Sequence, residues 1–142
     1  MIIRMIQTKE LTLHSDGIFE VINITEKVKD FVRSTGVREG KVIVYYRHTT
    51  GGVIIGEHEA GIIADLNETL EFLIPTNHEY KHHVRAVDFN GYAHIRSALL
   101  TISVDIPILD GDLLIGTYQE ILVIDMQVNQ EPRHVIMQVW GE

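Results

Sequence analysis

Three histidines set in short polar patches between apolar stretches, His48, His82 and His94, are the side chains of this sequence best suited to chemistry. His48 opens His48-Thr49-Thr50-Gly51-Gly52, His82 follows Tyr80-Lys81, and His94 closes Asp88-Phe89-Asn90-Gly91-Tyr92-Ala93-His94. Neutral imidazole is the commonest protein ligand for transition metals. Three imidazoles and a water compose an open, catalytically competent zinc site. The chain has no cysteine, so any such site is built from nitrogen and oxygen. The wide spacing of the three matches no local metal motif, so separate surface or hydrogen-bonded roles stand beside a shared ion. His58 and His83 are substitutes for one of them, while His14, His78 and His134 are expected in solvent.

Other polar groups cluster around these histidines in sequence. Asp88 and Asn90 could accept an imidazole N–H and fix its tautomer, or simply order their loop as an Asx turn. Asp88, Glu57 and Asp65 are the carboxylates that could serve as a general base, although an exposed carboxylate is the ordinary reading of Glu57 and Asp65. Thr49 and Thr50, with the glycine N–H groups that follow, could hold a phosphate or carboxylate, or form a tight turn. Arg96 and Ser97, after His94 at the start of a short helical segment, suit an anionic substrate. A surface or subunit-interface ion pair is the alternative for Arg96. Gln119 places an amide in an otherwise apolar strand pair, as a cavity-facing donor or as a structurally satisfied group.

The elements that must position these groups are mostly strands. The first dozen residues alternate as a strand, His14-Ser15-Asp16-Gly17 turns, and Ile18–Ile24 continues extended. Thr25 is placed to cap a short helix with Val28, Phe31 and Val32 on one face, and Gly36 to stop it. Lys41–His48 is rich in β-branched and aromatic residues and reads as the clearest strand, followed by a short one at Val53–Ile55. From Glu59 to Leu73, apolar residues recur at helical spacing until Pro75. Strands at Ile102–Ile108 and Leu113–Thr117 flank Asp110-Gly111, a strong hairpin signal, and Ile121–Val128 with His134–Trp140 reads as a last hairpin. The expectation is an α+β fold, a mostly antiparallel twisted sheet or β-sandwich with two main helices packed on it, as one domain over residues 1–142.

Composition narrows the partners. The net charge of −8 argues against nucleic acid, whose recognition rests on neutralising phosphates. No apolar run reaches the roughly 20 residues that cross a bilayer. The start Met1-Ile2-Ile3-Arg4-Met5 shows no signal peptide, and the absence of cysteine fits the cytoplasm.

The order His48-Thr49-Thr50, Leu73-Ile74-Pro75, Tyr80-x-His82, Asn90-x-x-Ala93-His94-Ile95-Arg96-Ser97, Ile106-Pro107-Ile108 and Gly116-Thr117-Tyr118-Gln119 resembles the YjbQ-like family, over about Glu10 to Val139. The resemblance implies a β-rich sandwich, a homotrimer, convergence of His48, His82 and His94 in a polar cavity, and a secondary thiamine-phosphate synthase activity. This chain departs from the family pattern in several places. Gly51-Gly52 replaces two alanines, Gly56-Glu57-His58 an Asn-Glu-Asn segment, and Asp112 an arginine. Phe89-Asn90 stands where an Asp-Asn pair is usual, with Asp88 one residue earlier, and Tyr118 stands for a tryptophan. An all-imidazole site favours Zn²⁺ or a neighbouring transition ion, whereas pyrophosphate departure usually uses Mg²⁺ held by oxygen. The expectation is therefore a metal-dependent hydrolytic or lyase-type enzyme on a small phosphorylated or carboxylated metabolite. The alternative is a non-catalytic trimeric metabolite-binding or scaffold protein with a structural metal.

Overall fold

The computed structural model describes residues 4–86, 88–129 and 131–142. The strands are β1 (Met5–Leu13), β2 (Glu20–Asn23), β3 (Gly40–Tyr46), β4 (Gly51–Gly56), β5 (Ser103–Leu109), β6 (Asp112–Leu113), β7 (Glu120–Asp125) and β8 (Arg133–Gly141). The helices are α1 (Thr25–Thr35), α2 (Ala60–Leu73), α3 (Lys81–Arg85) and α4 (Gly91–Leu99). The strands form two antiparallel sheets, ordered β1-β8-β3-β5-β6 and β2-β7-β4. Among the described residues no helix is long and apolar enough to cross a membrane.

The burial pattern explains why β7 and β8 do not pair as the expected terminal hairpin. In β8 every second residue from Arg133 to Val139 is buried, so one face meets the core. In β7, Ile121 through Asp125 are all buried, the mark of a strand covered on both faces. Ile121 and Val123 join α1 and the large sheet in the main core. Ile124 and the following Met126 join Tyr92 and Ala93 of α4 in a second core. β7 therefore lies between two apolar layers in the small sheet, while β8 pairs with β1 and β3. The Asp110-Gly111 turn does join β5 to β6, but β6 ends at Leu113 rather than Thr117.

Local chemistry sets the helix ends. Gly36, at φ 75, closes α1, a left-handed conformation open to glycine without a Cβ clash. Thr25 is the first residue of α1 rather than its cap. Its N–H donates to Asn23 Oδ1 at 3.0 Å, and its hydroxyl accepts from Ile121 N–H at 2.8 Å, tying α1 to β7. The Glu59 carboxylate caps α2 by accepting from Gly61 N–H (2.8 Å) and Ile62 N–H (2.9 Å). In α2 Leu70 is buried and Leu66 packs against the second core beside Ile124 of β7, so the helix meets that core through a narrower stripe than its periodicity suggests. Its apolar residues Ile62, Phe72 and Leu73 face outward.

Candidate metal centre

The site is assembled where α3 meets the start of α4. Tyr80 precedes α3 and is fixed by its hydroxyl, which donates to the Pro75 carbonyl at 2.6 Å. His83 Nε2 accepts the Gly91 N–H at 3.0 Å, holding α3 against the first residue of α4. A Cβ at Gly91 would come 2.7 Å from the Tyr80 Cβ and 3.0 Å from His83 Nε2, so this contact needs glycine. The opposite end of α4 is bolted to α2. The Arg96 guanidinium, 1% exposed, gives the Ile74 carbonyl two bonds (3.0 and 2.7 Å) and the Glu71 carboxylate one (2.8 Å). Ser97 Oγ donates to the Gly51 carbonyl at 2.6 Å, linking α4 to β4.

This frame brings His82 of α3, Asp88 of the connecting loop and His94 of α4 together, with one ligand atom from each within 4.8 Å of the others. The His82 and His94 rings lie 4.7 Å apart, and His82 Nε2 lies 2.7 Å from Asp88 Oδ1. That approach is not aligned as a hydrogen bond, and His82 Nε2 is buried without a hydrogen-bond partner. Burial first, then the neighbouring His82, lowers the pKa of His94, while its hydrogen bond to the Thr49 backbone and the charge of Asp88 oppose the shift. The shift favours the neutral ring, the form that ligates a metal, and the Thr49 backbone lies against it. Metal-ligating histidines are usually fixed in this way.

His48 stands apart from this cluster. Its Nε2 accepts the His134 N–H at 2.8 Å, and its ring lies between those of Tyr46 (5.1 Å) and His134 (5.6 Å). Burial, followed by the charge of Arg133, lowers its pKa, which suits an acceptor nitrogen. The loop is tied down behind it: Arg133, itself paired with Asp125 at 3.0 Å, donates to Thr50 Oγ1 at 3.1 Å. His134 is not freely solvated, since its Nδ1 lies 2.5 Å from Glu10 Oε1.

Several expected ligand contacts are used within the fold instead. Arg96 and Ser97 are spent on α2 and β4, and Thr50 on Arg133. Gln119 lies in an exposed turn and accepts the Gly116 N–H at 2.8 Å, rather than facing a cavity from a strand. Glu57 is exposed just beyond β4 and outside the cluster. Asn90 is buried at the N-cap of α4, its backbone carbonyl accepting from Ala93 and His94 and its Oδ1 unpartnered. Thr49 enters through its carbonyl rather than its exposed hydroxyl. His83 and Lys81, on either side of His82, shape the site in roles that the histidine spacing does not point to. The run Lys81-His82-His83 is their visible signal in the sequence. A cavity of about 430 Å³ opens beside His82 and His94.

The sequence profile of the UPF0047 protein YjbQ-like family matches residues 9–142. The chain belongs to the UPF0047 YjbQ-like family. A UPF0047 protein of Archaeoglobus fulgidus is 38% identical over 127 residues, 89% of this chain and 97% of its own. The UPF0047 protein YugU of Bacillus subtilis is 31% identical over 114 residues, 80% of this chain and 84% of its own. In structure, a YbjQ-like protein of Sulfolobus solfataricus P2 superposes with a TM-score of 0.93 over 98% of this chain and 99% of its own. At 24% identity that likeness speaks for the fold alone. A hypothetical protein of Aeropyrum pernix K1, 30% identical, gives a TM-score of 0.89 over 96% of this chain and 99% of its own.

Proposed function

We propose that this UPF0047 YjbQ-like protein is a metal-dependent enzyme acting on a small phosphorylated or carboxylated metabolite, with His82, Asp88 and His94 as its metal ligands. The observation that carries the reading is the convergence of two imidazoles and a carboxylate around the buried, unpartnered His82 Nε2. Donors 2.0–2.2 Å from a shared ion stand roughly 3–3.5 Å apart. Here the three ligand atoms lie within 4.8 Å of one another, with His82 Nε2 and Asp88 Oδ1 2.7 Å apart, so small side-chain adjustments would seat a shared ion. A two-histidine, one-carboxylate set leaves positions for water and substrate, and suits Zn²⁺ or Fe²⁺ better than Mg²⁺. Bound there, such an ion supplies Lewis acidity, polarising a carbonyl or phosphoryl oxygen and lowering the pKa of water toward about 7.

The chain's own residues do the rest. Thr49 orients the His94 ring, His83 holds the α3–α4 junction, and the cavity beside His82 and His94 receives the substrate. In this arrangement Asp88 serves as a ligand rather than a free base, which favours hydrolytic or lyase chemistry over the thiamine-phosphate synthase activity implied by resemblance. The test compares metal-loaded and chelator-treated protein in a phosphatase, esterase, lactonase, lyase and synthase screen. Turnover that vanishes with chelation and returns with zinc supports the reading, and no turnover in any arm refutes it.

A homotrimer in the cytoplasm completes the proposal. Ile62, Phe72 and Leu73 of α2 and Leu99 of α4 are large apolar side chains left exposed in the single chain, suited to burial against copies of the same chain. Light scattering showing three chains per particle supports it, and a monomer refutes it. The same side chains favour the second reading, a trimeric metabolite-binding protein whose metal is structural.

A further inference from the structure

We propose that the cavity beside His82 and His94 is a subsite for a small aromatic or otherwise apolar acid, whose carboxylate or phosphate is bound by Lys81. The inference rests on the metal reading above and names the substrate class of the same site. The cavity, about 430 Å³, has Tyr80 and Ile95 among its walls and borders two of the three proposed ligands. Its volume lies in the range of small-molecule pockets, which pair apolar walls with a few placed polar groups. The Tyr80 hydroxyl is already committed to the Pro75 carbonyl, so this residue offers the cavity an apolar ring rather than a donor. Ile95, 47% exposed, adds an aliphatic surface from α4.

Among the described residues lining this cavity, Lys81 carries the only fixed positive charge. Arg96, the cation that the sequence pointed to, is consumed by Ile74 and Glu71 on the far side of α4. An anion reaching between Lys81 and a metal on His82 and His94 would meet positive charge from two directions, while its body lay on Tyr80 and Ile95. Glu79 lines the same cavity and opposes a second negative charge there, so the site favours one anionic group per ligand.

Titration calorimetry with phenyl phosphate, benzoate and inorganic phosphate tests this, on wild type, Lys81→Gln, Glu79→Gln and Ile95→Ser, each in zinc-loaded and chelated form with metal content measured in parallel. Lys81→Gln should weaken phenyl phosphate or benzoate about tenfold or more with zinc content unchanged, and Glu79→Gln should tighten both. Ile95→Ser should weaken the aromatic probes and leave inorganic phosphate unaffected. The better of the two aromatic probes identifies phosphate or carboxylate as the preferred group. Zinc bound but no probe binding, or binding indifferent to Lys81, overturns the subsite and leaves the metal reading standing. Lys81-dependent binding without zinc in any sample overturns the metal reading and leaves the subsite standing.

Discussion

Replacing Asp125 by asparagine should cost this protein more stability than almost any other isosteric change. Asp125 and Arg133 are paired at 3.0 Å with side chains only 2% and 3% exposed. The same carboxylate accepts from Gln127 N–H at 3.1 Å and meets the Tyr46 hydroxyl at 3.5 Å. The amide side chain would keep an acceptor oxygen but leave the guanidinium buried without a counter-charge. Removing one partner of a buried pair costs about 3–5 kcal/mol, and the retained oxygen places this variant near the lower end. For a chain of this size about 3 kcal/mol corresponds to a fall in Tm of roughly 10 °C. Urea unfolding followed by the single tryptophan, Trp140, at fixed protein concentration measures it. The control is Lys41→Gln, which breaks the half-exposed Lys41–Asp105 pair of 3.0 Å and should cost less than about 1 kcal/mol. Salt should weaken the control pair and not the buried one. The double variant Asp125→Leu/Arg133→Met should cost less than Asp125→Leu and Arg133→Met summed, since it leaves no buried charge unpaired while Gln127 N–H and Thr50 Oγ1 lose a partner in either case. A cost below about 1 kcal/mol for Asp125→Asn, or a double variant worse than the sum of the singles, would refute the reasoning.

Further outcomes follow from the same geometry. His48 and His94 have lowered pKa values, burial being the first cause for each, so below the ordinary value of about 6.5 the unfolded chain takes up protons first. Chelated protein should therefore lose stability as pH falls from about 6.5 through the lowered values, and His48→Gln should flatten that slope in chemical-denaturation profiles; a profile unchanged by the substitution would count against it. Burial and the charge of Asp125 raise the Tyr46 pKa, so stability should also fall above about pH 10, where only the unfolded tyrosine ionises. Tyr46→Phe should remove that alkaline loss, and an identical loss in the variant would argue otherwise. Gly91→Ala puts a methyl 2.7 Å from the Tyr80 Cβ, an overpacking cost of about 1–3 kcal/mol. It should lower zinc affinity through the displaced α3–α4 junction, and an unaltered zinc titration would show that junction to be irrelevant to the site.

What was legible in the sequence is what depends on short-range chemistry. The β-branched run of β3, the stop at Gly36 and the Asp110-Gly111 turn need only local rules. His82, Asp88 and His94 fall within a thirteen-residue stretch, residues 82–94, so their meeting needs only one tight helical junction. The partition of β7 and β8 into different sheets was written in their burial periodicities, continuous against alternating, but neighbouring strands invite a hairpin reading. The employment of His48 depends on β3 pairing with β8, which delivers the His134 N–H to its ring. Arg96 likewise looks like an anion binder until the α2 C-terminus is seen to present the Ile74 carbonyl to it. Such long-range hydrogen-bond partners leave no mark in local sequence.

The most direct test of the metal centre is elemental mass spectrometry of untagged protein alongside His82→Ala, Asp88→Ala, His94→Ala and His48→Gln. About one transition ion per chain in wild type and in His48→Gln, with loss in His82→Ala and His94→Ala, a reduced amount in Asp88→Ala and native circular dichroism throughout, is the expected result. An ion that departs with His48→Gln but survives His94→Ala, or no ion in wild type after reconstitution with zinc, would contradict the assignment.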